Sequence, residues 1–591
     1  MEYNLTFTPL KKAILNNKIN IVPDINFYNY DRNFTRIDIN DLDLKKKKNL
    51  KLRYLKSSFK ILSKIMSEKF SPKNNLSNKY WSIIFYHWVE VFFDIYIQRY
   101  FTLEYIFKNY KHRSVSLITD YRQHIIADYS SNIFENCDDP IWNYCLMQLI
   151  FENNFDIGKI NKTFFSVEKK NKKVKSKLIK KIIIYLYNLL VRLLTFNKNP
   201  KIIFLNSYMG IFNEFKYQIK NFQIPYIFNE TLYEGFKPKN HYNIVFRQGI
   251  INQINSKKID PYLKNFLKVL IIFLPKSYLE NYDELNIYSK KIFFNTMPKK
   301  IFTASNYAWD DIFKRYIANN NKYNKSKIII AQHGMGFPLE KDNDMFGLPR
   351  HEHEFCDFYF TWGNYPKSKK YVNTTVINNK EYIREYLNNK KIKHMLCIVQ
   401  PHLEQSYKLY NTKMFSSILV ENFSTFISNL DQDIIDNTYI KLHNHDLKNK
   451  LNNQVWKKVI QKYRNLQSNA FTNSKYNNKN LFKNTRLYLF NYPSTGFLEC
   501  ISSDIPCIMY VDKSYKYFNK YVYKDIKKLI DNNLVFTNYK KLSKFLNNNL
   551  LNIESWWSSE ALMHTKKVFK QKYANTFSKD RIFKSIDSLN A

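Results

Sequence analysis

His333 follows an apolar run, in the stretch "SKIIIAQHGMGFPLEKDNDMFG" from Ser326 to Gly347. An imidazole presented there suits proton abstraction, because its ordinary pKa of ~6.5 lies near neutrality. The glycines behind it, Gly334 and Gly336, fit a turn that needs positive φ or close approach of backbone to a ligand. The whole chain has 9 glycines in 591 residues, so their concentration here singles the turn out. A core histidine beside a tight turn fits the same local sequence equally well.

A second group lies in "NYPSTGFLECISSDIPCIMY", Asn491 to Tyr510, which reads as strand end, loop, helix, loop and strand. Ser494, Thr495 and Gly496 stand where the helix begins. Their hydroxyls and backbone N–H groups suit a phosphate at the positive end of the helix dipole. Glu499, one turn further on, suits a sugar hydroxyl. An ordinary Ser/Thr N-cap is the competing reading. In "YIKLHNHD", Lys441 and His443 alternate, which places a cation and an imidazole on one face of a predicted strand. A solvated strand edge competes with that assignment.

In "HEHEFCDFYFTWG", His351 to Gly363, two His/Glu pairs recur at period two. That is not the spacing that sets two metal ligands on one helical face. His353 and Glu354 are therefore read as polar loop contacts rather than metal ligands. The Asp-x-Asp pairs at Asp41/Asp43, Asp342/Asp344 and Asp431/Asp433 are too short a match to assign a metal either.

These residues need elements to hold them. "KIIFLNSYMG", "IPYIFN", "KIFTAS" and "SKIIIAQHG", then "HMLCIVQPHL", "TYIKLHNHD", "TRLYLFNYPST" and "IPCIMYVD", share one theme. Each is a short Ile/Phe/Val-rich run ended by polar or small residues, with helical segments between. Buried strands alternating with helices predict parallel α/β sheets, which bind ligands at the carboxyl ends of their strands. The first 195 residues read as mainly helical, above all the apolar stretch Tyr80–Tyr110 without Gly or Pro. The expected organisation is a helical region with a basic linker over 1–195, a first Rossmann-like domain over 196–388, and a second Rossmann-like domain with C-terminal helices over 389–591.

The formal charge is +43, from 93 Lys+Arg against 50 Asp+Glu. Such a charge favours an anionic partner, although Lys, Asn, Ile, Tyr and Phe are inflated together throughout, which is compositional drift. The basic residues are spread rather than gathered in a stripe, and no nucleic-acid-reading motif accompanies them, so no nucleic-acid partner is assigned. The 6 cysteines show neither paired nor ligand spacing, which fits a reducing cytoplasm. "KIIIYLYNLLVRLLTF", Lys181 to Phe196, is the most apolar run. It is shorter than the ~20 residues of a membrane span. It reads as a buried core helix after a solvated lysine linker, with contact to an anionic inner-membrane surface as the alternative.

Together and in this order, "YWSIIFYHWVEVFFDIYIQRY", "LPKSYLENYDEL", "KKIFTASNYAWDDIFKRYIA", "IIIAQHGMG", "HEHEFCDFYFTWG" and "RLYLFNYPSTGFLECISSDIPCIMY" resemble a leptospiral-type family of transferases from bacterial surface-carbohydrate gene clusters. The resemblance implies an α/β, GT-B-like fold of two Rossmann-like domains facing a cleft, a nucleotide-activated sugar as co-substrate, no other cofactor and no metal. More distantly, "QHGMGFPLEK" is similar to the His-Gly loop of teichoic-acid glycerophosphotransferases. "KLHN" and "PSTGFLE" are similar to donor-binding elements of those enzymes and of capsule Kdo transferases. Carried over, His333 is the catalytic base, Lys441, His443, Ser494, Thr495 and Gly496 hold the donor phosphate, and Glu499 lies near the ribose or sugar. The resemblance further implies that the 389–591 domain binds the donor nucleotide and the 196–388 domain the acceptor, with His353 and Glu354 on the acceptor side.

The chain departs from the pattern at Met335 and Phe337-Pro338 after the histidine, and at Asn444 where a proline is usual. The expected function is glycosyl transfer to a surface-polysaccharide or lipid-linked acceptor. The capsule-enzyme likeness points to a CMP-linked donor. A polyol-phosphate transferase and a non-catalytic relative are the alternatives. The expected location is the cytoplasm, with peripheral contact to the inner membrane.

Overall fold

Short apolar runs form the parallel sheets of the computed structural model. It describes residues 3–8, 19–23, 34–37 and, from 44 to 589, all but 72–75, 111, 120, 138, 156–159, 167–177, 229–238, 306, 323–325, 336–355, 366–368, 378–394, 402–416, 445–446, 448–449, 464, 472–480, 482, 512–517 and 519.

Among the described residues, three sheets follow one another along the chain, and every pairing in them is parallel. The first holds β1 (Tyr3–Leu5), β2 (Ile19–Pro23), β3 (Phe34–Ile37), β4 (His112–Ile118) and β5 (Asn161–Phe165), in the order β3-β2-β1-β4-β5. The second holds β6 (Ile202–Leu205), β7 (Lys300–Thr303), β8 (Lys327–Ala331), β9 (Phe358–Thr361) and β10 (Tyr371–Asn373), side by side in chain order. An isolated parallel bridge also joins Leu205 of β6 to Phe228. The third holds β11 (Met395–Val399), β12 (Thr438–Lys441), β13 (Gln467–Ser468), β14 (Thr485–Phe490), β15 (Cys507–Tyr510) and β16 (Val535–Phe536), in the order β13-β12-β11-β14-β15-β16. This is the doubly wound Rossmann arrangement, whose strand order reverses between its first and fourth strands, here β11 and β14.

Helices dominate the first 195 residues as expected, notably Leu44–Phe70, His87–Asn109 and Pro140–Asn154. The last begins sharply because the Asp139 side chain accepts the Ile141 and Trp142 N–H groups and Pro140 opens the first turn. The apolar stretch from Tyr80 is helical, with a π-helical segment over Ser82–Tyr86. The first sheet is an addition that the sequence patterns do not predict.

Alternation along the strands divides the core. In the second sheet, Ile203, Leu205, Ile301, Ile328 and Ile330 face the N-terminal helices. Their neighbours Ile202, Phe204, Phe302, Ile329 and Ala331 join a core shared with the third sheet, which contributes Cys397, Tyr439, Tyr488 and Phe490. The C-terminal helices Glu560–Tyr573 and Lys579–Asp587 complete that shared core through Phe569, Tyr573, Ile582 and Phe583. They also return to the second sheet. Asn575 N–H donates to the Trp362 carbonyl at 2.7 Å, and Lys300 Nζ donates to the Ile586 carbonyl at 2.7 Å. Two α/β units, each built on a parallel sheet, thus meet through one apolar core.

One expectation is corrected. The apolar run from Lys181 is a helix, Leu178–Leu194, but it is not buried in the core. Ile184, Asn188 and Val191 face the protein, whereas most of its other apolar side chains are exposed. Hydrophobicity specified burial without specifying against what. All six cysteines are buried.

Candidate functional site

His333 leaves β8 at its carboxyl end, and Gln332 shapes the turn. Gln332 N–H donates to the Phe360 carbonyl at 2.8 Å, its Oε1 accepts the Trp362 N–H at 2.9 Å, and its Nε2 donates to the Gly334 carbonyl at 2.9 Å. One buried amide therefore ties the ends of β8 and β9 to the histidine loop. Burial pulls the His333 imidazole down to about 4, partly opposed by the Ala304 carbonyl at the end of β7. Its Nδ1 is buried with no hydrogen-bond partner among the described residues. The Tyr208 ring, from the loop after β6, lies 6.4 Å away between centroids.

Across from this loop, the helix Thr495–Ser502 begins at the carboxyl end of β14. Met335 N–H donates to Thr495 Oγ1 at 3.2 Å, so the histidine loop of the second sheet touches the helix start of the third. A Cβ on Gly334 would stand 2.9 Å from the same hydroxyl, which gives this glycine a packing reason. Ser494 is the N-cap, and its Oγ accepts the Gly496 N–H at 3.2 Å. Gly496 is further confined, because an added Cβ would meet the Phe490 ring at 2.5 Å. Its N–H and its missing side chain are thus both accounted for by packing. Glu499 is fully buried. Its charge and burial push the Tyr492 phenol up, burial being the larger cause and the Ser494 hydroxyl opposing it.

Lys441 ends β12 and is half-buried. Its charge pulls against the burial that pushes the Cys397 thiol up to about 12. His443 is not on a shared strand face with Lys441, as alternation had predicted, because β12 stops at Lys441. The Asn469 side chain holds Leu442 beyond the strand, its Oδ1 accepting the Leu442 N–H at 2.8 Å and its Nδ2 donating to the Leu442 carbonyl at 3.1 Å, and His443 is exposed. Gly336, His353 and Glu354 lie outside the described residues.

Sequence patterns missed a chain of polar groups at the switch point. Tyr539 Oη donates to Asn491 Oδ1 at 2.7 Å, and Asn491 Nδ2 donates to Gln400 Oε1 at 2.8 Å. Gln400 follows β11 and Asn491 follows β14, where the strand order reverses. Gln400 N–H also donates to the Lys441 carbonyl at 2.9 Å. Gln400 Nε2 is buried and has no partner among the described residues. The signal was available: Gln332, Gln400 and Asn491 are each a polar residue next after an apolar run.

A cavity of about 410 Å3 lies elsewhere, between Phe70 and Tyr80 of the N-terminal helices and Tyr282 and Tyr316 of the middle region. None of the described predicted site residues lines it, and its described lining does not include a strand carboxyl end. The strand ends, with two unpartnered buried polar atoms, are the better site for chemistry.

A family model described as LIC12162 family transferase matches residues 26–583. No curated protein matches the chain. Solved structures similar to it include MurG of Acinetobacter baumannii, at 12% identity over 66% of this chain and 100% of that one, with a TM-score of 0.32. A mutant O-GlcNAc transferase of Thermobaculum terrenum is similar at 8% identity over 85% of this chain and 82% of that one, with a TM-score of 0.33. The fold itself rests on the sheets described above.

Proposed function

This chain belongs to the LIC12162 family of transferases, and on that premise we propose that it is a GT-B-type glycosyltransferase. It takes a sugar from a nucleotide-activated donor, CMP-linked if the likeness to capsule enzymes extends to the donor, to a surface-polysaccharide or lipid-linked acceptor. The nucleotide-sugar is a co-substrate, and the reaction belongs to the cytoplasm, where such donors are made.

The observation that carries this reading is the Met335–Thr495 hydrogen bond, which sets the loop of a candidate base against the helix start of a Rossmann unit. In the reaction the acceptor hydroxyl gives its proton to His333 as its oxygen bonds to the anomeric carbon. The bond from that carbon to the donor phosphate breaks, and its electron pair leaves with the nucleotide. Burial keeps His333 neutral at pH 7 and able to accept a proton. A base held this low gains strength from the negative charge of a donor bound beside it. Lys441 and the positive end of the Thr495–Ser502 helix oppose the charge that builds on the leaving phosphate. Gln400 adds a donor at the switch point, while Ser494 and Gly496 hold the helix start in place.

The test is thermal unfolding against CMP, CDP, UDP, GDP and ADP. A nucleotide at ~100 times its Kd stabilises the native state by about 2.7 kcal/mol. One nucleotide should raise the midpoint of the native protein and fail to do so in Lys441→Ala. No response to any of the five rejects the donor site. Once the donor is known, His333→Ala should abolish transfer, and a product that carries phosphate would reassign the reaction to polyol-phosphate transfer.

A further inference from the structure

The helix Leu178–Leu194 is held to the protein by one face only. Ile184, Asn188 and Val191 point inward at spacings of four and three. Asn188 fixes the rotation of the helix, because its Nδ2 donates to the Ile227 carbonyl at 2.7 Å and its Oδ1 accepts the Ile227 N–H at 2.9 Å. Tyr187 Oη adds a bond to the Pro225 carbonyl at 3.0 Å. The opposite face is therefore displayed by construction, and it is apolar: Ile182, Ile183, Leu186, Leu190, Leu193 and Leu194 are all exposed. Phe196, 85% exposed, continues it beyond the helix, and Phe222, 94% exposed, stands at the end of the neighbouring helix Ile211–Lys220.

Such a face needs a cover, and the charge around it says which. From Lys169 to Asn213 the sequence has eleven basic residues and no acidic one. Lys180 on the helix, Lys198 four residues past its end, and Lys201 and Lys220 further along the chain are all exposed. The Lys201 ammonium lies 6.0 Å from the Phe222 ring centroid, which brings a cation and an exposed aromatic side by side. A second copy of the chain would bring the same basic rim against this one, and like charges oppose that pairing. No helix among the described residues is long and apolar enough to cross a bilayer. This helix would extend only ~26 Å, at ~1.5 Å per residue.

We propose that the Leu178–Leu194 helix lies in the plane of an anionic bilayer surface, with Ile183, Leu186, Leu190 and Leu194 in the acyl boundary and the surrounding lysines on anionic headgroups. The helix Ile211–Lys220 runs between the candidate site and this surface: it starts after the loop of Tyr208, whose ring lies 6.4 Å from that of His333, and spans ~15 Å at ~1.5 Å per residue, with Phe222 two residues past its end. Membrane docking would thus carry the strand ends close to the lipid surface. The inference does not depend on the reading of the transfer reaction, because its measurement is lipid binding alone.

The test is flotation of the full chain with phosphatidylcholine vesicles, with and without ~30% phosphatidylglycerol, at ~0.1 M salt. Recovery with the anionic vesicles should exceed that with phosphatidylcholine alone by about tenfold and fall at ~0.5 M salt. Leu186→Glu/Leu190→Glu should lose that binding about tenfold while its unfolding midpoint stays that of the native protein, since both side chains are exposed. Lys198→Glu/Lys201→Glu should also weaken it. The proposal is overturned if neither vesicle recovers the protein, if both recover it equally, or if the leucine variant floats as the native chain does. It is also overturned if the protein is a dimer that the leucine variant dissociates and that binds no vesicle.

Discussion

Thr495 Oγ1 accepts the Met335 N–H at 3.2 Å and stands 2.9 Å from where a Cβ on Gly334 would be. The two relationships share one hydroxyl, so the turn after His333 and the start of the Thr495–Ser502 helix are fitted to each other. Gly334→Ala should push Thr495 aside, break the Met335 bond and destabilise the protein by ~1–3 kcal/mol, as overpacking does. Thr495→Ala removes the obstructing oxygen. In that background the glycine substitution should cost less, with a coupling of ~1 kcal/mol between the two sites. Urea unfolding of the four proteins measures it, and strictly additive effects would show that the close approach is not real.

Gly496 has a different neighbour. An added Cβ would meet Phe490 Cε1 at 2.5 Å and Cζ at 2.9 Å, in a ring that is itself buried. Gly496→Ala should therefore lower the unfolding midpoint, with a loss of ~1–3 kcal/mol, and Phe490→Leu should relieve part of it. Nucleotide affinity measured well below the transition should change little. A large loss of affinity at unchanged stability would mean that Gly496 meets the donor directly.

Acid should expose the burial of His333. In the unfolded chain its imidazole binds a proton below ~6.5, whereas in the native protein it does so only below about 4. Between those values the unfolded state holds more protons. Stability therefore falls as pH falls through that window, by up to about 3 kcal/mol from this group, and no further below it. His333→Gln cannot titrate there. Its stability profile from pH ~7 to ~4 should be flatter than that of the native protein by that amount. Parallel profiles would place the imidazole in water.

The sequence showed the strands that matter to the site because each is a buried run closed by a polar residue. Ile328–Ala331 before Gln332 and Leu487–Phe490 before Asn491 are of this kind. It did not show the first sheet, whose β1 is three residues long and pairs with β4 over a hundred positions away. Local pattern holds no trace of such a pairing. His333, Lys441, Ser494 and Thr495 were visible as side chains at strand and helix ends. Their contacts were not, because the Met335–Thr495 bond spans 160 positions. The outer face of Leu178–Leu194 misled for a related reason: an apolar stripe announces a partner but not its identity. Gln400, Asn491 and Tyr539 went unnoticed because each is an unremarkable polar residue until three segments bring them together.

That trio supports the last prediction. Tyr539 donates to Asn491, and Asn491 donates to Gln400 Oε1, so the amide of Gln400 is oriented with its buried Nε2 left without a partner among the described residues. An unmet buried donor disfavours the empty protein by ~1–3 kcal/mol, an amount recovered when an acceptor arrives. At the point where β11 and β14 diverge, the acceptor that the proposed reaction would bring is an oxygen of the donor nucleotide. Gln400→Glu keeps the oxygen that Asn491 needs and replaces the leftover donor with an acceptor that carries negative charge. The variant should fold, as near-ultraviolet circular dichroism would report, yet lose the thermal stabilisation that the cognate nucleotide confers. If the nucleotide still raises the midpoint as much as it does in the native protein, Gln400 does not face the donor, and the trio serves only to hold the two strand ends together.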